Sequence, residues 1–182
     1  MSQYDEDIEQ DKFAHNRETF ARYGKAMYEA QVLEHGIVNL VATHNLKARR
    51  EAGQRFSPYQ IEALWDAEFV KTFGKLLKVV GEALDVPTDL RELLRRALKI
   101  RNWLAHDFFR DHAYEILTTE GRRTMIGEAD EAGRLFARVD EALETFLKPI
   151  ALKLGVTDEL LQQEFENNLR RAGVQREDLE SR

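Results

Sequence analysis

The chain has 182 residues, a formal net charge of −6, 43% hydrophobic and 33% charged residues, and no cysteine. That is enough apolar material for one globular domain with a real core, and the acidic balance argues against a protein that coats nucleic acid through bulk charge. Without cysteine there is no disulfide scaffold and no thiolate chemistry, which suits a reducing compartment. No apolar run reaches membrane-spanning length, and the polar, acidic start carries no signal-like segment. The simplest expectation is a cytoplasmic protein that does not engage membranes.

Taken in order, residues 1–12 are charged and poor in apolar periodicity, and a flexible acidic N-terminus is expected there. A first long helix is predicted over 13–47, with Tyr23, Met27, Ala30, Ile37 and Val41 at helical spacing. Glu34 completes that series and so places a charge in the apolar stripe. Residues 48–56 are basic, contain Gly53 and read as a loop. Ser57-Pro58 then gives an N-cap and a first helical position. One continuous second helix is predicted through Ile61, Leu64, Trp65, Phe69, Phe73, Leu76, Leu77 and Val80, with Gly74 inside it. A mid-helix glycine costs about 1 kcal/mol relative to alanine.

Thr88 is the predicted N-cap of the next helix, an amphipathic run over 89–109. Its stripe is Leu90, Leu93, Leu94, Ala97, Ile100, Leu104 and Phe108. After a mixed connection over 110–118, Thr118 or Thr119 caps a fourth helix. It carries Met125, Ala129, Ala132, Leu135, Phe136, Val139, Leu143, Phe146 and Leu147, with Pro149 expected to kink or interrupt it. Gly155 stops it, and Thr157 caps a short last helix with Leu160, Leu161, Phe165 and Leu169. The sum is an all-α, up-down helical bundle of four to five helices. It would form a single domain over 13–171, followed by a flexible tail over 172–182.

The informative stretch is Arg101-Asn102-Trp103-Leu104-Ala105-His106. At about 100° per residue, Arg101 falls inside the apolar stripe, between Leu94, Ala97, Leu104 and Phe108. A charge there breaks the binary pattern, as functional or strained sites do. An arginine at such a place either snorkels to water or is held by an acid. Glu34 is the first candidate partner, because its own position is anomalous in the same way, and Glu68 the second. Asn102 and His106 share a different face with Arg95 and Lys99. Arg91, Arg95, Arg96, Lys99, Arg101 and Arg110 crowd this helix against Glu92 and Asp107, so an acidic chain carries one local basic face. His106 is the only side chain of the motif that ordinarily titrates near neutral pH. Trp103 lies off the core stripe and offers an apolar anchor for an interface.

The hexapeptide resembles the signature of the HEPN superfamily, an Arg followed by a polar residue, three variable positions and a His. Arg101, Asn102 and His106 fit it. The resemblance implies an all-α HEPN bundle, a homodimer with the motif lining the cleft between protomers, and metal-independent endoribonuclease activity. It implies His106 as base at the RNA 2′-hydroxyl, Arg101 as phosphate ligand and Asn102 as polar helper. The products would be a 2′,3′-cyclic phosphate and a 5′-hydroxyl. Many such enzymes are toxins of toxin–antitoxin or phage-defence systems, so a cognate antitoxin protein is an implied partner beside the RNA substrate. Arg95, Lys99 and Arg110 are the candidate RNA- or phosphate-binding residues, and Glu34 the structural support.

Arg101 and His106 stand five residues apart, which is about 140° on an ideal helix. They converge on one phosphate only at a cleft margin, through helix distortion or across a symmetric interface. The rival reading is a non-catalytic HEPN-like module that binds a nucleotide or a protein, and a third is a plain helical interaction protein. No metal and no cofactor are expected. His35 and His44 lack a second ligand at metal spacing, and Asp107 with His112 is the nearest approach to a metal pair.

Overall fold

The structure is a computed structural model that describes residues 3–55 and 57–174. Among the described residues it is all-helical, with no strand. In chain order the elements are α1 (Gln3–Glu51), α2 (Pro58–Phe69), α3 (Phe73–Ala83), α4 (Thr88–His106), α5 (Phe108–Asp111), a 3-10 turn (Glu115–Leu117), α6 (Thr119–Lys153) and α7 (Asp158–Ala172). The chain divides into two compact units, Met1–Glu144 and Thr145–Arg182. The sequence offered a single domain over 13–171 because the division falls inside α6, where no linker composition marks it.

Among the described residues there are seven α-helices, two of them arising where expected helices are divided, which is roughly compatible with the four or five expected. The predicted second helix ends at Phe69, and Thr72 starts a new one by accepting the backbone N–H of Lys75 on its hydroxyl. Gly74 therefore sits in the first turn of α3, where its helix-breaking cost is small. The break also lets Phe73 reach the core, where it is 1% exposed. The motif helix is divided too, at Asp107.

The start of α2 is as the sequence predicts. Ser57 and Gln60 form a capping box, with Pro58 in the first turn. Thr88, by contrast, is the first residue of α4 rather than its cap. Pro87 precedes it with no side-chain cap bond. The Arg91 guanidinium instead donates to the Val86 carbonyl at 2.9 Å and fixes the approach. Helix α1 begins at Gln3 rather than near Phe13.

In the first unit the core is built on α1. Ala26, Ala30, Leu33, Ile37, Val38, Leu40 and Val41 are essentially inaccessible to solvent. Against them lie Phe73, Leu76 and Val80 of α3, Leu94, Ala97 and Leu104 of α4, and Met125, Phe136 and Val139 of α6. Glu68 is buried, but it pairs with Lys71 at 2.6 Å and accepts from Asn45 at 3.4 Å, and so is not the partner of Arg101.

In the second unit, α6 remains helical through Pro149, which neither interrupts nor ends it. A proline removes one backbone hydrogen bond without obliging the helix to stop. Gly155, at φ 84°, stands after the end of α6. Thr157 caps α7, and Gly173, at φ 69°, closes it in the left-handed region. The predicted tail over 172–182 lies mostly at 175–182, outside the described residues.

Two glycines of α6 make opposite demands. A Cβ on Gly121 would stand 2.5 Å from the Glu115 Cα and closer still to its carbonyl, so backbone would have to move. A Cβ on Gly127 meets nothing within 4 Å. Gly121→Ala is therefore expected to cost about 1–3 kcal/mol, and Gly127→Ala to stabilise by up to about 1 kcal/mol. Thermal unfolding checks both, at about 2–4 °C per kcal/mol for a chain of this size.

Helices α1 and α6 approach closely where Gly36 faces Asp140. Burial pushes the Asp140 carboxyl above its ordinary value, and the negative charges of Glu144 and Glu29 push it further. A carboxyl raised in the folded state binds more protons there than in the unfolded chain. Stability is thus lost as pH rises through the folded pKa. Asp140→Asn is expected to raise Tm at pH 7 by about 2 °C. The gain should vanish below pH 3.8, the ordinary value of the group. Melting curves at the two pH values test it.

Candidate functional site

The motif occupies the last two turns of α4, which stays regular to its end. The backbone N–H of Asp107 donates to the Trp103 carbonyl at 2.8 Å. Asp107 then leaves helical geometry, and Phe108 opens the short α5. Phe108 is fully buried and organises this corner. Its ring stacks on Tyr23 at 5.4 Å and meets Trp103 and His112 edge-on at 5.0 and 4.9 Å. Such aromatic pairs contribute about 0.5–1.5 kcal/mol each beyond area burial. The Tyr23 hydroxyl also donates to the Leu104 carbonyl at 3.3 Å, tying the end of α4 to α1.

Arg101 meets Glu34. The guanidinium Nη2 lies 3.6 Å from the Glu34 Oε2 and joins α4 to α1. The pair is partly open to solvent, with side chains 28% and 22% exposed, rather than sealed in the core. Its Nη1 donates weakly to the Asn102 Oδ1 at 3.4 Å. A charge in an apolar stripe has thus found an opposite charge below it and water at its edge.

Arg95, Lys99, Asn102 and His106 are all exposed and follow one another at four-three-four spacing on the outer face of α4. Among the described residues, none of Arg95, Lys99 and His106 has an ion-pair partner. Arg110 is different. Its guanidinium is 2.8 Å from Asp107 and 3.3 Å from Asp111, so its charge is already balanced. Since α4 is undistorted from Arg101 to His106, the two side chains diverge within one chain, as an ideal helix requires.

Trp103 is half-buried rather than free. Its indole N–H donates to Asp111 at 3.1 Å, and its ring abuts Phe108 and His112. The off-stripe position is thereby explained within the single chain. His112 and Asp107 do not come together as ligands. His112 is buried with its Nε2 2.7 Å from the Glu128 Oε2, while Asp107 pairs with Arg110. Neither imidazole nitrogen of His112 makes a directed hydrogen bond. Sequence reasoning had no signal for Glu128, which lies on a helix whose register against His112 only the fold supplies. Among the described residues no group of three or more His, Asp or Glu side chains is placed to hold a metal ion.

Comparison with protein-family models finds no match, and comparisons with curated proteins and with solved structures find none either. No described helix is long and apolar enough to cross a membrane.

The partial exposure of the Arg101–Glu34 pair sets its energy. A sealed pair loses about 3–5 kcal/mol when one partner is removed, whereas exposed pairs are worth about 0.2–1 kcal/mol. A double-mutant cycle of Arg101→Ala with Glu34→Ala is expected to give a coupling of about 1 kcal/mol. Chemical denaturation measures it, and additivity of the two single variants would remove the pair from the account.

Proposed function

We propose that this chain is a metal-independent endoribonuclease of HEPN type, its protomer a HEPN-like helical bundle. The observation that carries the reading is the division of labour on α4. Arg101 is held by Glu34 and touches Asn102, while His106 stands exposed at the end of a cationic stripe with Arg95 and Lys99.

RNA supplies its own nucleophile, so the protein needs only a proton acceptor and charge stabilisation. His106 takes the 2′-hydroxyl proton, and the 2′-oxygen attacks the adjacent phosphorus. The bond to the 5′-oxygen breaks, and that oxygen takes a proton from water. The products are a 2′,3′-cyclic phosphate and a 5′-hydroxyl. Arg101, Asn102, Lys99 and Arg95 offset the charge that grows on the phosphoryl oxygens. Arg110, already paired with two carboxylates, is a weaker member of that set.

Because Arg101 and His106 diverge on one helix, a homodimer belongs to the proposal, in which the stripe of a second copy completes the site. A cytoplasmic toxin of a toxin–antitoxin or phage-defence system, with a cognate antitoxin protein as partner, is the biological setting it suggests. One observation favours the non-catalytic alternative, a nucleotide- or protein-binding module. Arg101 already has a structural partner in Glu34 and serves α1–α4 packing without any substrate.

Cleavage of a mixed RNA pool in excess chelator, wild type against His106→Ala, tests the reading. Removal of a general base costs about 10²–10⁴-fold in rate. His106 is exposed, so the variant should melt within a degree or so of the wild type. A folded His106→Ala that cuts at the wild-type rate overturns the mechanism, and a wild type inert toward RNA favours the binding module.

A further inference from the structure

A groove of about 750 Å³ runs between α4 and α6 on the flank of α4 next to the cationic stripe. Its volume is within the range of small-molecule sites. Ile100, Trp103, Ala132 and Leu135 give it apolar walls, and Arg96, Arg134 and Arg138 give it cations from both helices. Several other cations of the chain meet carboxylates, as in Arg22–Glu18, Lys71–Glu68, Arg101–Glu34 and Arg123–Glu120. Among the described residues Arg96, Arg134 and Arg138 have no ion pair, although the chain has 33 acidic against 27 basic residues. Arg134 and Arg138 stand one turn apart on α6, a spacing at which like charges repel. Arg138 turns its Nε to the Arg134 carbonyl instead, at 3.3 Å.

We infer that this groove binds a nucleotide, its base against Trp103 and its phosphate on the arginines, and in the nuclease reading on which this rests it seats a nucleotide of the RNA. The indole is already fixed by Asp111 and by the Phe108 and His112 rings, so little freedom is lost when a base packs on it. Aromatic rings accept any base, and guanidinium groups bind phosphate bidentately. The two carboxylates in the wall decide between anionic ligands. Glu128 and Glu131 repel an acidic peptide, whereas a base presents amino donors to a carboxylate.

The test is equilibrium binding of adenosine 5′-monophosphate, which has no internucleotide bond and reports on the groove without cleavage. The chain has two tryptophans. Trp65 lies on α2 and hydrogen-bonds Asn39, so Trp65→Phe leaves Trp103 as sole fluorescent reporter. If that variant does not fold, the indole N–H signals of the unaltered chain give the same readout by NMR. Saturable quenching is expected over a range reaching several millimolar. Arg96→Ala with Arg134→Ala should weaken it at least tenfold, and Arg123→Ala by less than twofold. Absence of a Trp103 response overturns the proposal. So does a response matched by inorganic phosphate alone, which makes the groove a simple anion site, or by a glutamate-rich peptide, which makes it a protein-docking site. Binding without RNA cleavage keeps the groove and removes the nuclease reading, whereas cleavage without binding does the reverse.

Discussion

A cation placed in the apolar stripe of a helix has to be met by an anion, by water, or by both, and Arg101 shows the third outcome. Its meeting with Glu34 fixes the facing surfaces of α1 and α4, since both residues interrupt stripes that are otherwise aliphatic. Once those faces are opposed, Leu104 and Phe108 point inward and the outer face of α4 is left to Arg95, Lys99, Asn102 and His106. The pair is not a large source of stability, being partly solvated and 3.6 Å apart. Its effect is on register, because any other opposition of the two helices would bury one of these charges against leucine and alanine.

The same geometry that organises the helix divides the motif. A regular helix cannot aim residues five apart at one point, and α4 is regular up to the Asp107 turn. The arginine is consequently a packing residue first, and the histidine a surface residue. Any chemistry that uses both draws on something beyond a single copy of α4. The aromatic corner around Phe108 anchors the end of the helix.

Much of this was legible before any coordinates. The helical class, the buried series from Met125 to Leu143 on α6, the Ser57 and Thr157 caps and the Glu34–Arg101 meeting all follow from periodicity and cap chemistry. What was not legible has two physical sources. Breaks with weak composition signals were missed, because apolar periodicity carries across Val70–Thr72 while a single threonine hydroxyl starts a new helix. Partners set by interhelical register were missed as well. His112 against Glu128, and three arginines around one groove, depend on how α4, α5 and α6 are rotated, which no local spacing encodes.

The Tyr23 hydroxyl is a small detail with a wider reach. The last carbonyls of a helix have no partner within it, and Leu104 contributes one of them, two residues before His106. Its acceptor is taken by a phenol from the middle of α1. Fraying of that turn therefore requires a contact of α1 to open with it, and local opening at the histidine becomes part of the cooperative opening of the core. In hydrogen-exchange terms, the final turn of α4 behaves as interior, although its most prominent side chain is in water.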